Sequence, residues 1–459
     1  MLIPNNIGMD AGAPLARQME SYQAKFRRWW ADRGPAEFLE QTMRLRQPTG
    51  ETRGAGWAAY RSMRPADYTW GIFTVPTERT HIAFGEFARR DAWPSVPDEY
   101  RTLLLEHICV QADVENAAIE QSRTLTRSAP SGADLQNLFQ FFLEEGRHTW
   151  AMVHLLLAHF GHEGEVQAEA LLTRMSGDAE HPRLLDAFNY HTEDWLSHYM
   201  WCFLADRVGK YQIQAVTQSA FLPLAASARF MMFEEPLHIT FGLAGLERVL
   251  YRSMEATLRL DSHDVFEAGA IPLSVFQKYF NFWVSKIFDL FGNDESARAH
   301  DLYRLGIRSP RGMEDGAEGE VALDVRVGDR IEQRAVAAQR ATNAIMRRQY
   351  VAEVQRIVDR WNDVMRRAHV DFALRLPHER FGREFGPCKG MAFDIDGELF
   401  AGTAGSRGQA RFPTADEVAR VQGLMHRELD DGRVAAWIAP FGVRLDEFPG
   451  ADAADRGQA

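Results

Sequence analysis

Glu145-Gly146-Arg147-His148 and Glu235-Pro236-Leu237-His238 are two copies of one pattern, and each follows a lone carboxylate at nearly the same distance: Glu115 stands 30 residues before Glu145, and Asp206 29 before Glu235. Residues three apart on a helix lie one above the other, so each Glu/His pair presents a carboxylate oxygen and an imidazole nitrogen on one face. A separation of about 30 residues lets two antiparallel helices with a short connection bring a residue on the first level with one on the second. The neighbouring residues are apolar. Leu138, Phe141, Phe142, Met152 and Leu155 share the face of Glu145 and His148; Ile108, Ala112, Ala118 and Ile119 flank Glu115. Trp195, Tyr199, Cys202 and Phe203 lead to Asp206, and Met231, Met232 and Ile239 surround Glu235 and His238. A buried, unpaired carboxylate is costly. Four acids on four apolar faces therefore call for a common partner.

Two such hairpins bring four carboxylates and two imidazoles together in a bundle core, which is the ligand set of the ferritin-like di-iron proteins. An oxygen-rich set with one imidazole per ion departs from the Cys/His pattern of zinc and suits iron, with manganese as the alternative. Buried ion pairs with arginine explain any one of these residues as readily, but not all six in this paired arrangement. A single Glu-x-x-His carries little weight: with 34 Glu and 15 His in 459 positions, chance supplies about one match. Glu78-Arg79-Thr80-His81 follows Pro76 without helical period and is read as that match. Pro236 lacks an N–H and disfavours helical geometry at the residue before it, so a kink or π-bulge is expected there.

The remaining sequence bounds the setting. A length of 459 residues, 46% apolar and 25% charged, is ordinary for a globular protein with a sizeable core. A formal net charge of −12 argues against a nucleic-acid binder. No run approaches the length of a membrane helix, and Met1-Leu2-Ile3-Pro4-Asn5-Asn6 lacks the features of a signal peptide; the expected compartment is the cytoplasm. Cys109, Cys202 and Cys388 form no Cys-x-x-Cys pair and are expected as free thiols. Only five of the 52 basic residues are lysine, and the arginine surplus suits phosphate or carboxylate clamps.

Periodicity and punctuation divide the chain into an irregular N-terminal cap (1–96), a ferritin-like helical core (97–310), and a C-terminal helix with a small α+β extension (311–459). Helices are predicted near 99–126, 132–160 with Ser131 as N-cap and Gly161 as stop, 184–206 with Gly209 past its end, 212–258, 273–292, 295–306 and 333–368. A short strand is predicted from Val321 to Val327 and a hairpin over Met391–Phe400. The fold class is mainly α. No Rossmann fingerprint or P-loop is present, and Gly402-Thr403-Ala404-Gly405-Ser406-Arg407-Gly408 matches neither. A chain without flavin, nicotinamide or iron–sulfur sites needs a reductase partner if it activates dioxygen.

The sequence also resembles the oxygenase component of benzoyl-CoA 2,3-epoxidase, the BoxB family of di-iron proteins. The resemblance covers nearly the whole chain: Ile3-Pro4-Asn5-Asn6, Trp29-Trp30, Trp70-Gly71-Ile72-Phe73, Asn137-Leu138-Phe139-Gln140, Glu144-Glu145-Gly146-Arg147-His148 with Trp150-Ala151-Met152, Asp206-Arg207 with Gly209-Lys210, Gln277-Lys278-Tyr279 with Asn281-Phe282, and Asp359-Arg360-Trp361-Asn362. It implies that Glu115, Glu145, His148, Asp206, Glu235 and His238 hold two iron ions; Gln111, on the same helix face as Glu115, is expected to line the substrate side. It further implies epoxidation of an aryl-CoA thioester, benzoyl-CoA to 2,3-epoxybenzoyl-CoA, with O2 and with electrons from NADPH through a separate flavin and iron–sulfur reductase. Two departures stand out. The family typically reads Glu-Glu-Ala-His-His where this chain has Glu234-Glu235-Pro236-Leu237-His238, and the region after Cys388 matches less well. They leave open a related biosynthetic oxygenase acting on another aromatic acyl thioester, or one that N-oxygenates an aryl amine. A ribonucleotide reductase small subunit is disfavoured because Thr149-Trp150-Ala151-Met152-Val153 places no tyrosine after His148, and a storage protein would be far shorter.

Overall fold

The computed structural model describes residues 3–35, 37, 42–44, 62–75, 82, 85–90, 96–309, 319–399, 411–430 and 432–449. Helix α1 (Pro14–Arg33) begins with proline at its first position, where the missing N–H costs nothing, and turns Met19, Tyr22, Phe26 and Trp29 inward. Two short strands, β1 (Met43–Arg44) and β2 (Ser62–Met63), pair antiparallel in the cap. Then come α2 (Asp98–Gln121), α3 (Gly132–His159), α4 (Gly161–Thr173), α5 (Trp195–Thr217), α6 (Leu222–Met231), α7 (Glu235–Leu260), α8 (Leu273–Phe288) and α9 (Ala297–Arg304).

The bundle that matters for the site is α2 packed on α3 and α5 packed on α7. In the first pair Thr149 Oγ1 donates to Asn116 Oδ1 at 3.0 Å, which sets Glu115 level with His148. In the second, Gly242 and Gly245 let the backbones close up. A Cβ at Gly242 would stand 2.4 Å from Phe203 N, and one at Gly245 2.3 Å from the Tyr199 ring. These contacts run in opposite senses along the two helices and bring Asp206 level with the start of α7.

The sequence placed several elements differently. The expected helix over 184–206 is a 3₁₀ turn at Asp186–Asn189 followed by α5, whose N-cap Asp194 accepts from Ser197 N at 2.7 Å. Gly209 does not follow a helix end but lies inside α5. The long helix expected over 212–258 is the end of α5, then α6, then α7. Pro236 produces neither kink nor π-bulge: residues 232–234 form a turn, and Pro236 sits in the first turn of α7, where no intrahelical donor is needed. Gly161, at φ +56°, ends α3 as expected but also opens α4. Ser131 caps α3, accepting from Asp134 N at 3.1 Å.

The strand expected over Val321–Val327 is β3 (Glu320–Val327); its partner β4 (Arg330–Ala337) takes the first residues of the helix expected over 333–368, and α10 begins only at Thr342 and ends at Arg367. The two strands pair from Glu320↔Ala337 to Val327↔Arg330 across a two-residue turn with Gly328 at φ +63°. The hairpin expected over 391–400 reduces to a single antiparallel bridge, Phe393↔Leu399, around Gly397, with Phe400 outside the described residues. Helix α11 (Ala415–Leu424) carries a capping box, Thr414 with Glu417. One buried apolar cluster contains Met19, Phe26 and Trp70 of the cap, the faces of α2, α3, α5 and α7, and Trp437 and Phe448 of the C-terminal region. No described helix is long and apolar enough to cross a membrane, and all three cysteines are buried and unpaired. Glu78–His81 and Gly402–Gly408 lie outside the described residues.

Candidate metal centre

Glu115 comes from α2, Glu145 and His148 from α3, Asp206 from α5, and Glu235 and His238 from the first turn of α7; all six are buried. One ligand atom from each of Glu115, Glu145, His148 and Glu235 lies within 4.8 Å of the others. His148 Nδ1 is 3.3 Å from Glu115 Oε2, 3.6 Å from Glu235 Oε1 and 3.8 Å from Glu145 Oε2. His238 joins from the other side of Glu145, its Nδ1 3.1 Å from Glu145 Oε1. Asp206 stands outside the tightest group, yet lines the same cavity as Glu115, Glu145 and Glu235.

Both imidazoles turn Nδ1 inward and Nε2 outward, and the outer contacts cross between the two motifs. His238 Nε2 lies 2.8 Å from Glu144 Oε2, while His148 Nε2 lies 3.1 Å from Glu234 Oε2. An ionised carboxylate only accepts, so each Nε2 carries a hydrogen, and Nδ1 is the nitrogen that would give up its own proton to take a metal ion. Arg147, between Gly146 and His148, donates to Glu234 and, at 3.1 Å, to the Tyr68 hydroxyl; Gln140 donates to Glu144 at 2.5 Å. Gly146 is required by the cap, because a Cβ there would lie 2.4 Å from Trp70 Nε1. Gly209 borders the site without being required there, since a Cβ on it would make an ordinary 3.6 Å contact with Glu235 Oε2.

The electrostatics show what this pocket lacks. Among the described residues no lysine or arginine pairs with Glu115, Glu145, Asp206 or Glu235. Burial, reinforced by the charge of Glu145, pushes Glu115 up to about 8. Burial likewise drives Asp206 and Glu235 well above the usual carboxylate range, with Glu145 adding to each. Burial also opposes ionisation of Glu145, but contacts with Glu115, His148 and His238 outweigh it and hold this carboxyl low. For the histidines burial disfavours the charged form, yet Glu115 beside His148, and Glu144 and Glu145 beside His238, raise both well above the ordinary value. Asp206 Oδ2 and His238 Nδ1 are buried with no hydrogen-bond partner; the 3.1 Å approach of His238 to Glu145 is close but not directed as a hydrogen bond. Orphaned donor atoms beside like charges fit metal ions: an oxygen-rich set with two imidazole nitrogens could hold a pair of divalent cations.

A cavity of about 760 Å³ ends on this cluster. Val114, Ala118, Phe188, Trp201 and Ala205 form apolar walls near the carboxylates. Gln111, one turn before Glu115, lines the same wall and donates to Glu115 Oε1 at 2.5 Å.

No family model matches the chain. Over 450 residues, 95% of this chain and 94% of the relative, it is 40% identical to benzoyl-CoA oxygenase component B of Aromatoleum evansii. The chain belongs to the benzoyl-CoA oxygenase component B family.

Two acids of this component B chain lie outside the predicted ligand set: Glu144 and Glu234, which hold the histidines from outside. The signal was present as a doubled glutamate at the head of both motifs, Glu144-Glu145 and Glu234-Glu235. Successive residues on a helix point about 100° apart, so on α3 Glu145 faces the interior while Glu144 reaches across to His238, and Glu234, the residue just before α7, reaches back to His148 while Glu235 faces the interior. Tyr68, supporting Arg147 from the cap, had no comparable signal, since only the tertiary fold brings it to α3.

Proposed function

We propose that this chain is the oxygenase component that uses O2 to epoxidise the aromatic ring of an aryl-CoA thioester, benzoyl-CoA to 2,3-epoxybenzoyl-CoA. In this reading two iron ions are held by Glu115, Glu145, His148, Asp206, Glu235 and His238, and electrons come from NADPH through a separate flavin and iron–sulfur reductase. The observation that carries it is the cavity, apolar along its walls and ending on four carboxylates, in a chain 40% identical to a benzoyl-CoA oxygenase component.

When bound, the ions supply electrons to dioxygen and orient the oxidant. The chain's own residues do the rest. Glu144 and Glu234 fix the imidazole tautomers through Nε2, so that Nδ1 of each histidine is available to a metal. Val114, Ala118, Trp201 and Ala205 exclude water and hold a planar ring over the carboxylates. Gln111 stands where a ring enters, and its amide can leave Glu115 to meet the substrate.

The test is metal analysis of the purified protein, followed by turnover with benzoyl-CoA, O2, NADPH and a reductase. The expected result is two irons per chain and a product heavier by one oxygen, with NADPH consumed only when the thioester is present. Oxidation of an aryl amine with indifference to the thioester overturns this reading, and preference for another aryl thioester reassigns the acyl group.

A further inference from the structure

Seven arginines are buried among the described residues: Arg147, Arg183, Arg207, Arg248, Arg308, Arg347 and Arg383. Six of them meet a carboxylate: Glu234, Glu120, Glu353, Asp134, Asp294 and Asp289 respectively, Arg308 being the exception. Arg308 is 7% exposed and donates to two neutral oxygens, Gln212 Oε1 at 2.7 Å and Asn343 Oδ1 at 2.8 Å. Of the acids lining the cavity, Glu106 is engaged by Arg298 at 2.5 Å and Asp289 by Arg383 at 2.5 Å. Burial alone brings the Arg308 guanidinium down to about 10. A folded chain keeps an uncompensated buried charge at a cost to stability, which is understandable where a ligand completes it.

Arg308 lines the cavity that ends on the carboxylate cluster. Its backbone is pinned, Arg308 N to Leu302 O at 3.1 Å and Ser309 N to Ala215 O of α5 at 2.8 Å, so the side chain is presented from a fixed position. Beside it on the cavity wall is His107, whose Nε2 is buried without a hydrogen-bond partner; burial, with Arg308 and Arg298 adding, pulls that ring down to about 3 and keeps it neutral. Gln212 lies six residues beyond Asp206 on α5, and His107 eight before Glu115 on α2. The helical rise therefore puts this polar layer about 9 to 12 Å from the carboxylates. An aromatic acyl group lying on the carboxylates brings its thioester and the first amide of its arm to that depth, while the phosphates of a coenzyme A carrier lie beyond the whole pantetheine arm.

We propose that Arg308, held in plane by Gln212 and Asn343, is a substrate-positioning residue: its guanidinium donates into the cavity to a carbonyl oxygen of the thioester arm, with the neutral His107 ring available to the neighbouring amide N–H. This rests on the aryl-thioester reading above. It gives the cavity two fixed ends, a metal cluster for the ring and a cation for the arm, and so sets how deeply the ring inserts.

The experiment is equilibrium binding to iron-loaded protein, without oxygen or reductase, for wild type, Arg308→Gln and Arg308→Lys. The ligands are benzoyl-CoA and S-benzoyl-pantetheine, which lacks the phosphates. The expected result is that Arg308→Gln weakens both ligands to the same degree, by about 10- to 100-fold, that Arg308→Lys loses less, and that neither variant melts below wild type, since no buried carboxylate is orphaned. Unchanged binding in Arg308→Gln overturns the proposal, as does a loss confined to benzoyl-CoA, which would make the contact a phosphate one. Lower melting temperatures with loss of iron in both variants assign Arg308 to packing and overturn it too. Failure of the wild type to bind either thioester instead overturns the function from which the inference starts.

Discussion

The least expected residues in this protein are the outer glutamates. Glu144 and Glu234 each hold the histidine of the other motif, at 2.8 and 3.1 Å, so the two motifs brace one another across the bundle. Partners of this kind typically tune metal affinity by about 10- to 100-fold. We expect Glu144→Gln and Glu234→Gln each to weaken iron binding in that range, measured by competition with a chelator, with the helical circular dichroism retained; unchanged affinity would remove their role. The two glycines beside the ligands predict opposite signs. At Gly146 an added Cβ meets Trp70 Nε1 at 2.4 Å, and overpacking of this kind costs about 1–3 kcal/mol. At Gly209 the same methyl sits 3.6 Å from Glu235 Oε2, an ordinary contact, and alanine inside a helix gains up to about 1 kcal/mol over glycine. Thermal unfolding of Gly146→Ala and Gly209→Ala should therefore shift down and up. The inner ligands were legible because chemistry and helical period agree at Glu115, Glu145 and His148. Gly209 was not, because a glycine inside a helix looks in sequence like one that ends it.

Among the elements, the break between α6 and α7 decides where the second motif sits. Pro236 in a continuous helix would have removed a hydrogen bond and displaced Glu235. The chain instead stops at Met231, turns through residues 232–234 and restarts at Glu235, so the proline's fixed φ begins the helix that carries His238. Pro236→Ala should then lower stability by less than about 1 kcal/mol, chiefly through the unfolded chain, and leave the iron content of purified protein unchanged. Loss of iron in that variant would mean that the ring itself orients Glu235. The sequence misled elsewhere for a related reason. Arg330–Ala337 is rich in charged and small residues that suit a helix, and only pairing with Glu320–Val327 makes it a strand; such pairing is tertiary information that a local pattern does not contain.

For the molecule as a whole, the cap, the bundle and the C-terminal region enclose a cluster of acids that no described lysine or arginine neutralises, so stability should depend on metal and on pH together. In the metal-free protein Glu115 is pushed up to about 8, and Asp206 and Glu235 also lie well above the usual range, whereas in the unfolded chain such groups titrate near 4. Between those limits the folded metal-free chain retains protons that the unfolded chain has released, so the contribution of these three acids to stability is most favourable at low pH and falls as pH rises towards 8. The raised histidines act in the same sense above their ordinary value, since the favourable charge on His148 and His238 is lost as they deprotonate. Glu145, held low, acts in the opposite sense only at acid pH. Bound cations abolish the proton uptake by taking its place, and they stabilise the fold by mass action as well. Chelation should therefore lower the melting temperature at every pH, and by more at pH 8 than at pH 6. An equal drop at both would mean that the acids are not held protonated in the absence of metal, and with that the electrostatic case for the centre would fail.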